Sequence, residues 1–290
     1  MGSDVYKIVN DKIMELLEAG TVPWHKPWQS STSMPKNLVS KRGYRGVNLF
    51  MLACQPFSSP YWVTYKQATD VGGHVKKGEK STPVIFWKML DKDDASSDKA
   101  TTGKIPLLRY YSVFNSDQCD GVEIPPSATV VSNPFTPIES AELLFRGMPM
   151  KPEIKFGGNR AFYSPSLDYI QLPDKTAFDS EEEYYGCLFH EMAHATGHAK
   201  RLGRKGVTET SYFGSHEYSK EELIAECCSA FVSGHAGIVN STIENSASYI
   251  AGWLKALKDD RTLLVHAAAQ GHKAADYLLN IQPEEREAEA

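Results

Sequence analysis

His190-Glu191-Met192-Ala193-His194 is the stretch that decides the fold. On a helix, positions i and i+4 lie one turn apart on the same face. Two imidazoles there can close on one ion, and Glu191 between them can reach a water beside it. The flanks spell a helix around the motif. Ser180 with Glu183 makes a capping box, Glu181 and Glu182 suit a first turn, and Gly197 is a natural stop. Cys187, Leu188 and Ala195 can face a core. Five residues alone prove little, since surface helices also carry ordinary histidines.

A metal site that performs chemistry keeps three protein donors and one open position. A histidine at position 200 would complete H-E-x-x-H-x-x-G-x-x-H, but that residue is Lys200. His198 sits where the helix ends and is expected to face away. The remaining source is a carboxylate downstream. Ser219-Lys220-Glu221-Glu222 has the form of a capping box opening a helix to about Gly234, and Glu222-Leu223-Ile224-Ala225-Glu226 places two acids one turn apart. The plainer alternatives are that Glu222 only closes the box and Glu226 is solvated. Against them, Leu223, Ile224, Cys227, Cys228, Ala230 and Phe231 make the helix largely buried, and a buried acid needs a partner.

The expected ligands are therefore His190, His194 and Glu222, with Glu226 behind a ligand imidazole to fix its tautomer. Glu191 is the expected catalytic base. The H-E-x-x-H spacing is the signature of zinc metallopeptidases, and Glu222 resembles by its spacing the third ligand of thermolysin-like gluzincins. Two imidazoles and a carboxylate favour Zn2+, with Mn2+ as the alternative. Tyr212, His216 and Tyr218 are candidate oxyanion donors. Tyr169-Ile170-Gln171-Leu172 is a candidate edge strand to which a peptide adds.

The 290 residues suffice for two domains. No apolar run approaches the ~20 residues of a membrane span, and the N-terminus has no basic-then-apolar signal, so a cytoplasmic protein without a membrane partner is expected. Five cysteines without a C-x-x-C pair fit reduced thiols. The net charge of −5 is uneven: residues 20–90 carry ten Lys or Arg against two acids. A basic segment on an acidic chain points to a localised anionic partner.

Both halves read as mixtures of helix and strand, an α+β class. Ser3 or Asp4 can cap a first helix with Val5, Ile8, Val9, Ile13, Leu16 and Leu17 on one face. An apolar helix is expected from Val47 to Cys54, a strand or short helix at Tyr61–Lys66, and a turn-rich basic loop at Gly72–Lys80. Strands at Pro83–Leu90 and Ile105–Phe114 pair around a polar tip. The Pro-, Ser- and Thr-rich stretch at Glu123–Pro137 suggests a boundary, giving domains 1–126 and 137–290 with a linker at 127–136. The second half opens with a short helix and three short strands and closes with helices.

In the first half, Trp24, Lys26, Trp28, Lys41, Arg42, Tyr44, Arg45, Lys66, Lys76, Lys77 and Lys80 mix cations with aromatic rings. That mix suits single-stranded nucleic acid, cations following phosphates and rings stacking on bases. Phe50, Phe86 and Trp87 are better read as core. Val22-Pro23-Trp24-His25-Lys26-Pro27-Trp28, the run from Ser40 to Asn48, the run from Tyr61 to Ala68 and the loop from Gly72 to Pro83 closely resemble the N-terminal domain of ArdC-type antirestriction proteins, a domain shared with TraC-type primases. The segments around His190–His198 and Glu221–Glu226 resemble the zincin-like metallopeptidase domain that accompanies it.

The resemblance spans nearly the whole chain. It implies single-stranded DNA binding by the first domain, a gluzincin-type metallopeptidase fold in the second, and protection of incoming plasmid DNA from host restriction during conjugation. A protein of the host restriction system is an implied substrate. The primase relatives keep their catalytic parts elsewhere, so priming is not expected. Two rivals stand beside this reading. One is a DNA-binding protein whose zincin domain holds metal without cleaving peptides. The other is a metal-dependent nuclease, which the donor set disfavours, because nucleases cluster carboxylates around two metals.

Overall fold

The computed structural model describes residues 4–23, 34–91, 104–125, 137–209, 216–238 and 247–281. The mixed α+β class holds in both halves. Helix α1 (Val5–Glu18) starts at Asp4, whose carboxylate accepts the Lys7 N–H at 3.2 Å. Strand β1 (Lys36–Asn37) and helix α2 (Val47–Ala53) follow. Residues 61–70 take both of the expected forms. Strand β2 (Tyr61–Thr64) passes into helix α3 (Tyr65–Asp70), because Thr64 and Gln67 close a reciprocal capping box. Strand β3 (His74–Val75) pairs with β6 (Cys119–Asp120), while β4 (Thr82–Asp91) and β5 (Lys104–Asn115) form a long antiparallel pair. The main sheet runs β1-β2-β5-β4. Its edge at β4 is covered by α2: buried Asn48 exchanges two 2.7 Å hydrogen bonds with the Ile85 backbone.

The second half comprises α4 (Pro137–Gly147), β7 (Glu153–Phe156), β8 (Phe162–Ser164), β9 (Tyr169–Leu172), α5 (Glu181–Thr196), α6 (Lys205–Thr208), α7 (His216–Ala236), α8 (Ala247–Asp259) and α9 (Leu263–Leu278). The small sheet has the order β7-β9-β8. Tyr169–Leu172 is thus its middle strand, paired on both sides, and not the free edge that its alternation suggested. A second correction concerns α7. It is already helical at His216, so Ser219 lies inside it and the Ser219–Glu222 box opens nothing.

α7 packs between α5 and α9, which explains why Leu223, Ala225, Cys227 and Cys228 are all fully buried. The approach to α9 needs a glycine. A Cβ on Gly271 would lie 2.7 Å from Cys227 Cβ and 3.0 Å from the Cys228 backbone nitrogen. The cysteines are free thiols. No helix among the described residues is long and apolar enough to cross a membrane.

One apolar core joins the two halves. Val9, Ile13 and Leu17 of α1 and Phe50 of α2 belong to the same cluster as Leu188, Phe231 and Leu257. Phe50 stacks on Phe231 with centroids 4.8 Å apart. Asn10 donates to the Leu257 carbonyl at 3.2 Å, and Arg45 pairs with Asp276. Burial, reinforced by Arg45, pushes the His272 imidazole down to about 3, so it stays neutral and its Nδ1 accepts the Gly46 N–H at 3.2 Å. Phe50 is core as expected, but Phe86 is 46% exposed. Val84 and Phe86 share a face of β4; Val84 is buried in a cluster with Tyr44, Leu52, Trp62 and Val113, whereas Phe86 meets the Tyr44 ring at 6.3 Å and stays half-exposed.

This shared core yields a stability prediction. Phe50→Ala should cost about 3–5 kcal/mol, the usual loss for a buried aromatic. Far-UV circular dichroism and tryptophan fluorescence should both report one lowered transition. Two transitions, with only the first moved, would contradict a common core.

Candidate metal centre and basic face

Ser180 caps α5 by accepting the Glu183 N–H at 3.2 Å, and Glu183 reaches back to the Asp179 N–H at 2.9 Å. The helical phase so set turns His190 and His194 the same way, with their Nε2 atoms 3.2 Å apart. That separation is close to the ~3.3 Å edge of a tetrahedron with ~2.0–2.1 Å metal–nitrogen bonds. From α7, Glu222 Oε2 lies 3.5 Å from His190 Nε2, and Oε1 lies 3.7 Å from His194 Nε2. One donor atom from each of the three residues falls within 4.8 Å of the others. This donor set fits a divalent ion with one position left for a reactant.

The opposite ring nitrogens also meet carboxylates. His190 Nδ1 lies 3.8 Å from Glu226 Oε1, and His194 Nδ1 lies 3.4 Å from Glu221 Oε1. Each imidazole is thus backed at Nδ1, which leaves Nε2 as the donor toward the centre. Glu226 stands beside His190, and Glu221 beside His194. Glu221 had no expected role beyond the box, and spacing could not have singled it out from its neighbour Glu222. Its oxygens are held by Arg204 at 2.6 and 3.0 Å. Nothing in the spacing of Arg204 announces that contact.

Charge in the cluster is mutually compensated. Burial pushes the His190 pKa down, but the hydrogen bond to Glu222 and the charges of Glu226 and Glu191 lift it to about 9. Burial raises Glu222, yet His190, His194 and a hydrogen bond to Tyr218 bring it to about 2. Burial raises Glu221 too, and its bonds to His194 and Arg204 turn the net shift downward. Glu191 is 8% exposed, and its carboxylate acts on both His190 and the Cys187 thiol.

Among the expected oxyanion donors, Tyr218 is engaged with Glu222. Tyr212 and the His216 side chain lie outside the described residues. His198 does turn away: its Nδ1 accepts the Lys200 N–H and faces Asp168 at 4.0 Å. Asp168 also takes a two-pronged bond from Arg201 and the Tyr163 hydroxyl, which ties the β8–β9 turn to the end of α5.

On the first half, Trp24, Lys26, Trp28 and the Trp87 side chain lie outside the described residues. Lys41, Arg42, Lys66, Lys77 and Lys80 are exposed. Lys41 stands over the Tyr61 ring at 5.5 Å, beside Lys36 at 4.8 Å. Lys76 is partly engaged, donating to the Asp117 carbonyl at 2.9 Å. Arg45 is half-exposed and paired with Asp276. Tyr44 corrects the reading: it is 7% exposed, packed with Trp62, Val84 and Val113, and offers no face for stacking. Exposed rings occur instead at Tyr65, Phe86, Tyr110 and Tyr111.

Comparison with known proteins gives the same two-part division. Residues 3–114 match the N-terminal domain of anti-restriction factor ArdC, and residues 139–270 match a zincin-like metallopeptidase family. Two DNA primases TraC of Escherichia coli are 36% and 35% identical over 96% and 94% of this chain, which spans only 20% and 27% of their length. Among solved structures, the antirestriction ArdC protein from plasmid R388 is similar in its metal-free form, at 36% identity with a TM-score of 0.77, covering 97% of this chain and 100% of that one. Its Mn(II)-bound form is similar at 35% identity with a TM-score of 0.76, over 96% and 97%.

His190, His194 and Glu222 are thus the candidate ligands, and Glu221 and Glu226 the candidate supports. His190→Ala, His194→Ala and Glu222→Ala should each abolish tight Zn2+ or Mn2+ binding in a chelator competition. Glu226→Ala should weaken it by roughly 10–100-fold, as losing a ligand's outer partner typically does. A Glu226→Ala variant that loses more affinity than Glu222→Ala would exchange the two roles.

Proposed function

Because the chain belongs to the ArdC-type antirestriction family, we propose that it binds single-stranded DNA through its first half and hydrolyses peptides at a zinc centre in its second, shielding incoming plasmid DNA from host restriction. The observation that carries the peptidase part is the convergence of His190, His194 and Glu222 with Glu191 buried beside them. Two imidazoles and one carboxylate favour zinc, and the Mn(II) form of the R388 protein supports a site that also accepts manganese.

At these donors a zinc ion would polarise a substrate carbonyl and lower the pKa of water from ~15.7 towards ~7. Glu191 is the base that takes the proton of the attacking water and passes it to the leaving amine, a contribution of typically ~10²–10⁴-fold. Glu221 and Glu226 hold the two imidazoles in the donor tautomer, and Tyr218 steadies Glu222. A protein of the host restriction system is the proposed substrate.

Support for DNA binding comes from the match to residues 3–114 and from the exposed part of the β4–β5 pair around Phe86 and Tyr111. There the Phe86 and Tyr111 rings meet edge to face at 5.6 Å, and Arg109 lies directly across from Phe86. Exposed rings beside cations suit stacked bases and their phosphates. Lys66, Lys77 and Lys80 extend the charge on the same half.

Two experiments test this reading. Glu191→Ala should keep metal while peptide hydrolysis falls by about 10²–10⁴-fold. If the variant still protects DNA in conjugating cells as well as wild type, protection does not run through proteolysis. In DNA binding, Phe86→Ala and Tyr111→Ala should each lower affinity for oligo-dT by an amount equivalent to about 1–3 kcal/mol, leaving the salt slope unchanged. Lys77→Ala or Lys80→Ala should flatten that slope by about 0.7. Unchanged affinity in both ring variants removes the sheet face from the account.

A further inference from the structure

Arg204 lies ten residues beyond the motif, and neither spacing nor the family match gives it a role. It is 8% exposed, and an arginine at that depth needs its donors met. Four of its five N–H groups are engaged. Nη2 and Nε grip both oxygens of Glu221 at 2.6 and 3.0 Å, Nη1 donates to Thr196 Oγ1 at 2.6 Å, and Nη2 also donates to the Ala193 carbonyl at 2.7 Å. Ala193 and Thr196 belong to the last turn of α5, and Glu221 belongs to α7. One side chain therefore joins the helix bearing both histidines to the helix bearing the carboxylates.

The backbone makes room for this junction. A Cβ on Gly197 would lie 2.9 Å from Arg204 Nη2 and 2.5 Å from Val207 Cγ2, although the φ of −76° there suits any residue. A Cβ on Gly206 would lie 2.9 Å from Glu221 Cβ. Both glycines stand where a side chain would push the clamp apart. Glu221, so held, presents Oε1 to Nδ1 of His194 at 3.4 Å.

We propose that Arg204 is a positioning residue of the metal centre: it fixes Glu221 against Nδ1 of His194, which keeps the Nε2 lone pair of that imidazole aimed at the ion. This rests on the metal reading given above. The arginine touches neither ion nor substrate and acts through two intervening side chains. A planar fork suits the task because it holds both carboxylate oxygens at once, whereas a lysine ammonium would hold the charge but not the orientation.

The test compares Glu221→Gln, Arg204→Lys and the double variant Arg204→Met with Glu221→Met. The double variant guards against misfolding, because replacing a whole buried ion pair by apolar side chains is far better tolerated than removing one partner. Three quantities are measured on the full chain: Zn2+ affinity by chelator competition, the visible absorption of the Co2+-loaded protein, and the melting temperature without metal. The expected result is a 10–100-fold weaker affinity and an altered Co2+ spectrum for both Glu221→Gln and the double variant. The double variant should keep a metal-free melting temperature near that of wild type, whereas Glu221→Gln, which leaves the buried guanidinium without its counter-charge, should melt lower. Arg204→Lys should fall between these and wild type. Wild-type affinity and spectrum in a folded double variant or in Glu221→Gln would overturn the proposal and leave Arg204 as a helix strut. If wild type and His194→Ala bind Zn2+ equally weakly, the metal reading itself fails, and this inference fails with it.

Discussion

Buried charge between α5 and α7 is the constraint on which the rest of the structure depends. Glu191, Glu221 and Glu226 are each at most 8% exposed, in helices otherwise lined by apolar residues. A carboxylate at that depth without a partner costs several kcal/mol. Two imidazoles and one guanidinium face this acidic cluster, and the pKa directions of His190, Glu221 and Glu222 show the compensation at work. The pairing holds only while the two helices keep their phase and distance. α9 enforces this from behind, where Gly271 lets it close on Cys227 and Cys228.

That packing reaches past the second half. α7 carries the acidic cluster at its start and, three turns on, Phe231, which stacks on Phe50 of α2. α9, which supports α7, meets the first half through Asp276 with Arg45 and His272 with Gly46. The main sheet, whose exposed β4–β5 region is proposed to take DNA, is therefore anchored through α2 to the helix that presents Glu222. Two separately recognisable family segments rest on one physical core.

Much of this was legible in the sequence because its causes are local. Ser180 capping α5, the i, i+4 phase of His190 and His194, and a cap at Ser3 or Asp4 for α1, which falls to Asp4, are all consequences of neighbours within one turn. Glu222 was legible because an acid inside an apolar helix demands a partner. Other features depend on contacts that span the fold. Tyr169–Leu172 alternates like an edge strand, but only the parallel pairing with β7 shows that it is central. Tyr44 and Phe86 exchange their expected roles because Tyr44 packs into the cluster of Trp62, Val84 and Val113 while Phe86 sits at its margin. Glu221 and Glu222 are chemically identical neighbours. Their 100° separation on α7 sends one to the front of an imidazole and the other to the back, and only the placement of α5 and Arg204 distinguishes them. The start of α7 at His216 was missed because Ser219 is a good cap in the wrong place.

The most direct test of the account is an anomalous-difference map, at the zinc edge, from crystals of the zinc-loaded protein. The account predicts one strong peak, about 2.0–2.2 Å from Nε2 of His190, Nε2 of His194 and a carboxylate oxygen of Glu222. Glu221 and Glu226 should remain on the Nδ1 side of the rings. A peak ligated by Glu221 or Glu226 in place of Glu222, or a strong peak only elsewhere on the molecule, would contradict it.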